Sequence, residues 1–274
     1  MNKPGHLFFF LCTFSALTAC TKPSGPEIGP LDHLSSIENL TQDVSIPDEE
    51  EGQALRSQML RDTALSLGAR GGLAARTEQI NEALDEEAEY LNTVFNFQGL
   101  MLPNNILPPV LVEGRDSLNL DGPYVIRIAD RNYRIVKQAK FVTAVPRWED
   151  YLMIPVHQPE PPDKKLLPDP DNEDEIELWK EYSRQGWEQG IAQADEIYNE
   201  NLGRLKRDYT GMIRYRKLLA QNMVSAPLVA EKDLGVTGGG DQLYVNDRIL
   251  TIKALPSLKA NTEQWSPTIT QTPE

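Results

Sequence analysis

The chain has 274 residues, with 41 Asp and Glu against 27 Lys and Arg, and a formal net charge of −14. So acidic a surface repels phosphate backbones unless a local basic face compensates, which argues against direct nucleic-acid binding. Two cysteines are too few for a disulfide scaffold, so the body has to be stabilised by its own apolar core.

Residues 1–19 have the parts of a secretory signal: Lys3 and the terminal amine at the positive end, then an apolar run from Leu7 to Leu17. That run is well short of the roughly 20 residues that span hydrocarbon as a helix. Leu17, Thr18, Ala19 and Cys20 follow in the order of a lipobox, so cleavage is expected before Cys20 and acylation on its thiol. Several acyl chains, at about 0.8 kcal/mol per buried methylene, anchor a protein stably. Thr21, where an aspartate would favour retention, points to the outer membrane and its periplasmic face. Cys12 leaves with the signal, and no thiol then remains for a disulfide, a zinc site or a nucleophile.

Residues 20–48 are proline-rich and aperiodic, and are read as a flexible linker or, alternatively, a peptide that docks on a partner. The folded body is expected over 49–255. Its first helix carries Leu55, Met59, Ala64 and Leu67 on one face and is expected to break or kink at Gly71-Gly72. A second helix, with Leu73, Ile80, Leu84 and Leu91, then runs to about Val94. This predicts an αα unit, with Arg70 and Arg76 acting as a cap and in surface ion pairs.

Short strands are expected next: a brief alternation at Val94 to Phe97, a hairpin of 124–128 and 133–136 turning at 129–132, and a third strand at 140–145. Trp148 and Tyr151 are expected to seal this small antiparallel sheet against a helix. The proline-rich stretch 158–172 marks a possible sub-boundary. Its acidic end resembles a calcium loop only until Asp174 replaces the required glycine and Lys180 the required glutamate, so those acids are assigned to the start of the next helix.

The region from Glu173 to Met223 is the longest regular stretch. Unbroken, it would be about 75 Å long. It should therefore break, at Gly203 or Gly211, or project from the body. Residues 173–200 hold nine acids and two bases, and 204–217 hold six bases and one acid, so a fold-back would lay opposite charges together. Gly186, Gly190 and Ala194 form a small-residue stripe that allows another element's backbone to approach closely. A last hairpin is expected over 243–252, turning at Asn246-Asp247, with Gly238 to Gly240 as a flexible turn and 256–274 as a disordered tail.

No chemistry of an enzyme stands out. His33 and His157 have no metal-ligand partner in sequence, and no Gly-x-Ser-x-Gly elbow presents a serine. The expectation is a non-enzymatic protein without metal or cofactor.

Three segments carry a resemblance: 69–76 (ARGGLAAR), 186–194 (GWEQGIAQA) and 201–215 (NLGRLKRDYTGMIRY). With the lipobox they resemble the DotC family, lipoproteins of type IVB (Dot/Icm) secretion systems and of IncI-type plasmid conjugation. The fold expected is α+β: a helix-rich body with a small antiparallel sheet and a long C-terminal helical region. The resemblance implies a structural subunit of an outer-membrane core complex, a multi-copy ring beside a DotD-like lipoprotein and a DotH-like component that it helps to localise. It marks Arg70, Gly71, Gly72, Gly186, Trp187, Gly190, Ala194, Arg204, Arg207, Tyr209, Gly211 and Tyr215 as packing or interface candidates. The competing reading is a stand-alone periplasmic lipoprotein that binds a solute or cell wall.

Overall fold

The computed structural model describes residues 31–41, 53–120 and 122–266; the signal and the lipobox Leu17 to Cys20 lie outside them. In chain order the elements are α1 (Leu34–Glu38), α2 (Gln53–Glu86), α3 (Ala88–Val94), β1 (Ile106–Leu107), β2 (Val110–Leu120), β3 (Ile126–Lys137), β4 (Lys140–Phe141), α4 (Glu149–Leu152), α5 (Glu173–Ala220), β5 (Leu228–Gly239) and β6 (Gln242–Ala254). The helix-rich α+β architecture matches expectation, but the strands form three separate two-stranded antiparallel sheets, β1–β4, β2–β3 and β5–β6.

Two helices organise the rest. Arg56 of α2 pairs with Glu175 of α5, and Arg76 with Asp195, each across 119 residues of sequence. A constant offset at both ends means that α2 and α5 run parallel. The expected αα unit is therefore absent, and α2 continues without a break through Gly71-Gly72. Both glycines are buried, and a methyl group on Gly72 would strike the backbone of Trp187. Here glycine serves close approach, which outweighs its cost of about 1 kcal/mol in a helix interior.

Parallel helices need a long return connection. The Asn81 amide of α2 brackets Ile154, donating to its carbonyl at 2.8 Å. Arg56, near the other end of α2, reaches the carbonyls of Lys165 and Leu167. The helix rises about 37 Å from Arg56 to Asn81 at 1.5 Å per residue. Twelve residues of extended chain at about 3.1 Å each cover the same distance. The prolines 159, 161 and 162 hold that return path extended, so 158–172 is a strap along one core and separates no subdomains.

α5 is one helix of 48 residues, about 72 Å long. The expected break does not occur. Gly203 faces open space, and Gly211 packs against β2. With no fold-back, the basic half never lies on the acidic half. Asn172 caps the start, its side-chain oxygen accepting from the Glu175 amide, and Glu173, Asp174 and Glu175 occupy the first turn, at the positive end of the dipole.

Three apolar clusters follow α5. The first joins Leu60, Ala64, Leu67, Leu167 and Trp179 with Leu31, Ile37 and Leu40, so 31–41 of the expected linker are docked on the body; the Trp179 indole donates to the Ile37 carbonyl at 2.9 Å. The second holds Ile80, Leu84, Phe97, Trp148, Leu152 and Leu205. Val94 to Phe97, expected as a strand, ends α3 and enters this cluster, where the rings of Phe97 and Tyr151 stack at 5.9 Å. The third surrounds Tyr215, Leu218 and Val224 at the C-terminal end of α5. The expected disordered tail is folded through Ser266: Lys259 donates to the Met223 carbonyl and Ser266 to that of Gln221.

Both hairpins differ from expectation. Residues 126–137 form one strand paired with β2, so 129–132 is exposed strand, and 140–145 contributes only the two residues of β4. Likewise β6 runs through Asn246-Asp247 and turns back to β5 at Gly240-Asp241. Asn246 has a left-handed φ of 58° and sits opposite a register shift at Gly235, so a bulge inside the strand looks like a turn in sequence.

Candidate interaction surface: a glycine seam and two β-arms

Most of the marked residues lie inside the molecule. Along the α2–α5 seam, methyl groups on Gly68 and Gly72 would collide with the backbone at Ser183 and Trp187. On α5, methyl groups on Gly186 and Gly190 would meet the backbone at Leu65 and Ala69, with Ala194 buried one turn further on. Gly71 takes the Ile37 methyl and the edge of the Trp187 ring. Arg70 is exposed mid-helix, its Nε turned to the Ser66 carbonyl, so it caps no terminus; Arg76 makes its ion pair with Asp195 at 2.8 Å.

The basic half of α5 divides between packing and surface. Gly211 lets β2 approach, Tyr215 is fully buried, and Tyr209 meets Phe95 and Phe97 edge to face. Arg204 and Arg207 are exposed. Arg207 donates to Asp208, which is 1% exposed and also accepts from Lys137 of β3 at 2.5 Å and from the Tyr151 hydroxyl at 3.3 Å. This carboxylate ties β3 and the α4 segment to α5, and sequence spacing could not have revealed it. Burial, then the Asp208 charge, pushes the Tyr151 hydroxyl up to about 12, and burial pushes Tyr215 up to about 12.

What the molecule presents outward is two β-arms from the C-terminal end of α5. Their roots are fixed together: Tyr133 and Ile135 of the first arm and Val229 and Ile252 of the second pack on the third cluster. Beyond the roots the strands have no further neighbours among the described residues. In the first arm Leu118 faces Ile128 and Leu120 faces Ile126 across the ladder, making one apolar face with exposures of 67, 65, 74 and 53%. Tyr124 at its turn is 97% exposed. The other face carries Ser117, Asn119 and Arg127. In the second arm Val236 faces Val245 beside Leu243, and all three are exposed. An isolated two-stranded hairpin is marginal in water, and its open edges are templates for strand addition.

At the root of the first arm, Glu113 is met by Arg214 at 3.3 Å, Arg115 at 3.7 Å and Arg131 at 3.9 Å. These residues, with Lys217, line an open cleft of about 410 Å³. One carboxylate among four cations leaves the cleft positive on an acidic protein.

No group of His, Cys, Asp and Glu among the described residues is arranged to hold a metal, and no described helix is long and apolar enough to cross a membrane. A helical rod with two unpartnered strand pairs can bind another protein through backbone edges and apolar faces. The profile of a family described as type IV secretory system, conjugal DNA–protein transfer (TraI) matches residues 54–267, more than three quarters of the chain. The chain belongs to that family and is a component of a type IV secretion or conjugation system. The match spans α2 to the end of the described tail and leaves the docked segment 31–41 outside. No curated protein matches the chain.

Proposed function

We propose that this component is a DotC-like outer-membrane lipoprotein, a structural and assembly subunit of the transfer system's core complex. Acyl chains on Cys20 hold it at the periplasmic face, and it helps a DotH-like component reach the outer membrane beside a DotD-like lipoprotein, in a multi-copy complex. No catalytic step and no direct nucleic-acid contact are part of this role. The observation that carries the reading is the pair of arms, whose apolar faces and strand edges no other described residue covers.

The tether supports a definite orientation. Cys20 lies eleven residues before the docked Leu31, a span of at most about 40 Å. It holds the α1 end near the lipid. From Trp179 to Tyr215 the rod then carries the arms about 54 Å further along α5.

Affinity purification from detergent-solubilised membranes tests the reading. Co-purification of other transfer-system components is expected, and recovery of the chain alone would overturn it. Cys20→Ser should leave the body folded, release it from the outer membrane and lower transfer. Full transfer by a chain shown to lack lipid would refute the anchoring role.

A further inference from the structure

We infer that the two arms form a contact between copies of this chain: the outer half of the β5–β6 arm of one copy seats along the β2–β3 arm of the next. The inference deepens the proposed function, on which it rests for many copies held close together.

Charge selects the occupant. The β2–β3 arm, residues 110–137, holds five basic and four acidic residues, and the β5–β6 arm, residues 228–254, holds three and four. The two arms cancel, so the whole formal charge of −14 belongs to the rest of the chain. Copies approaching through their bodies repel one another; copies approaching through their arms do not. Within the arms the signs are complementary. The root of the first has the positive cleft around Glu113, and the outer half of the second, 233–248, carries Asp233, Asp241 and Asp247 against Arg248 alone.

The lengths also agree. On the first arm, Leu118 and Leu120 lie about 10 and 17 Å beyond Arg115 at ~3.4 Å per residue. On the second, Leu243 and Val245 lie about 7 and 14 Å behind the exposed Asp241 at the turn by the same rise. An arm laid tip to root with Asp241 at the cleft therefore places Leu243, Val245 and Val236 along Leu118, Leu120 and their cross-strand partners Ile128 and Ile126. Such a contact joins two different surfaces, and repetition closes a ring when the rotation between copies permits.

The test uses full-length protein in its own membranes, with Leu118→Cys and Leu243→Cys in the same chain, the pair that the contact sets within about 3 Å along the arms. Mild oxidation should give covalent dimers or a longer ladder of this chain, and neither single variant should do so. Asp241→Lys should lower the yield about two- to fivefold, and adding Arg115→Glu should restore it. If both cysteines react with a maleimide yet give no chain-to-chain product, or cross-link only to a different protein, the inference is overturned. Purification on a tag separates the two questions: a ladder without transfer-system components sinks the proposed function alone, and those components without a ladder sink the arm contact alone.

Discussion

Gly186 and Gly190 show at single-residue scale how composition becomes geometry. Each occupies a point where the backbone of α2 fills the space a side chain would need. Gly190→Val should therefore force the helices apart and lower stability by about 3 kcal/mol, seen as a lower midpoint in urea. Ser183 sits on the same seam with its hydroxyl buried and without a hydrogen-bond partner among the described residues. Ser183→Ala should consequently be neutral or stabilising by up to about 1 kcal/mol, whereas Ser183→Leu should unfold the pair. Arg56 grips Glu175 through two bonds of 2.5 and 2.7 Å at a mostly buried site. Arg56→Leu removes the charge that offsets that carboxylate, leaving it the Asp169 amide, and should cost about 3 kcal/mol.

Tyr151 and Tyr215 give the fold a pH limit. Both hydroxyls hold their protons to about 12 in the folded chain, against an ordinary value of 10.0. Between those values the unfolded chain releases protons that the folded one keeps, so stability is complete below pH 10 and falls as pH rises towards 12. Absorbance titration should find these two tyrosines ionising last, and a tyrosine spectrum complete by pH 11 in still-folded protein would contradict their burial.

For whole elements, much was legible in the sequence and the failures have physical causes. The stripe of Gly186, Gly190 and Ala194 pointed to a close-packed helix face, and the acids at 173–175 to a helix start. The continuity of α2 and α5 was hidden because a glycine that breaks a solvated helix is the same residue that a tight crossing requires. Parallel packing was hidden because an offset of 119 residues leaves no local trace. The arms were misplaced because Asn246 and the polar run 129–132 look like turns when strands face water on both sides. Among the packing or interface candidates, Gly211 and Tyr215 lie inside the fold. Nothing short of the pairing register shows that Leu118, Leu120, Ile126 and Ile128 share a face. Among the described residues, one α-helical glycine does have room: Gly203→Ala, on the open side of α5, should stabilise the chain by about 0.5–1 kcal/mol and raise its melting temperature.

At the scale of the molecule, the unbroken α5 is the one element shared by all three apolar clusters. Leu31, Ile37 and Leu40 are fastened beside its first turns and both arms beside its last. A pull between the α1 end and the arms would therefore run lengthwise through a single helix. Along the seam, that load would be met in shear by Gly68, Gly72, Gly186 and Gly190 together, with the proline strap as a taut line beside them. Loaded in that way, the pair of helices would act as a tension member.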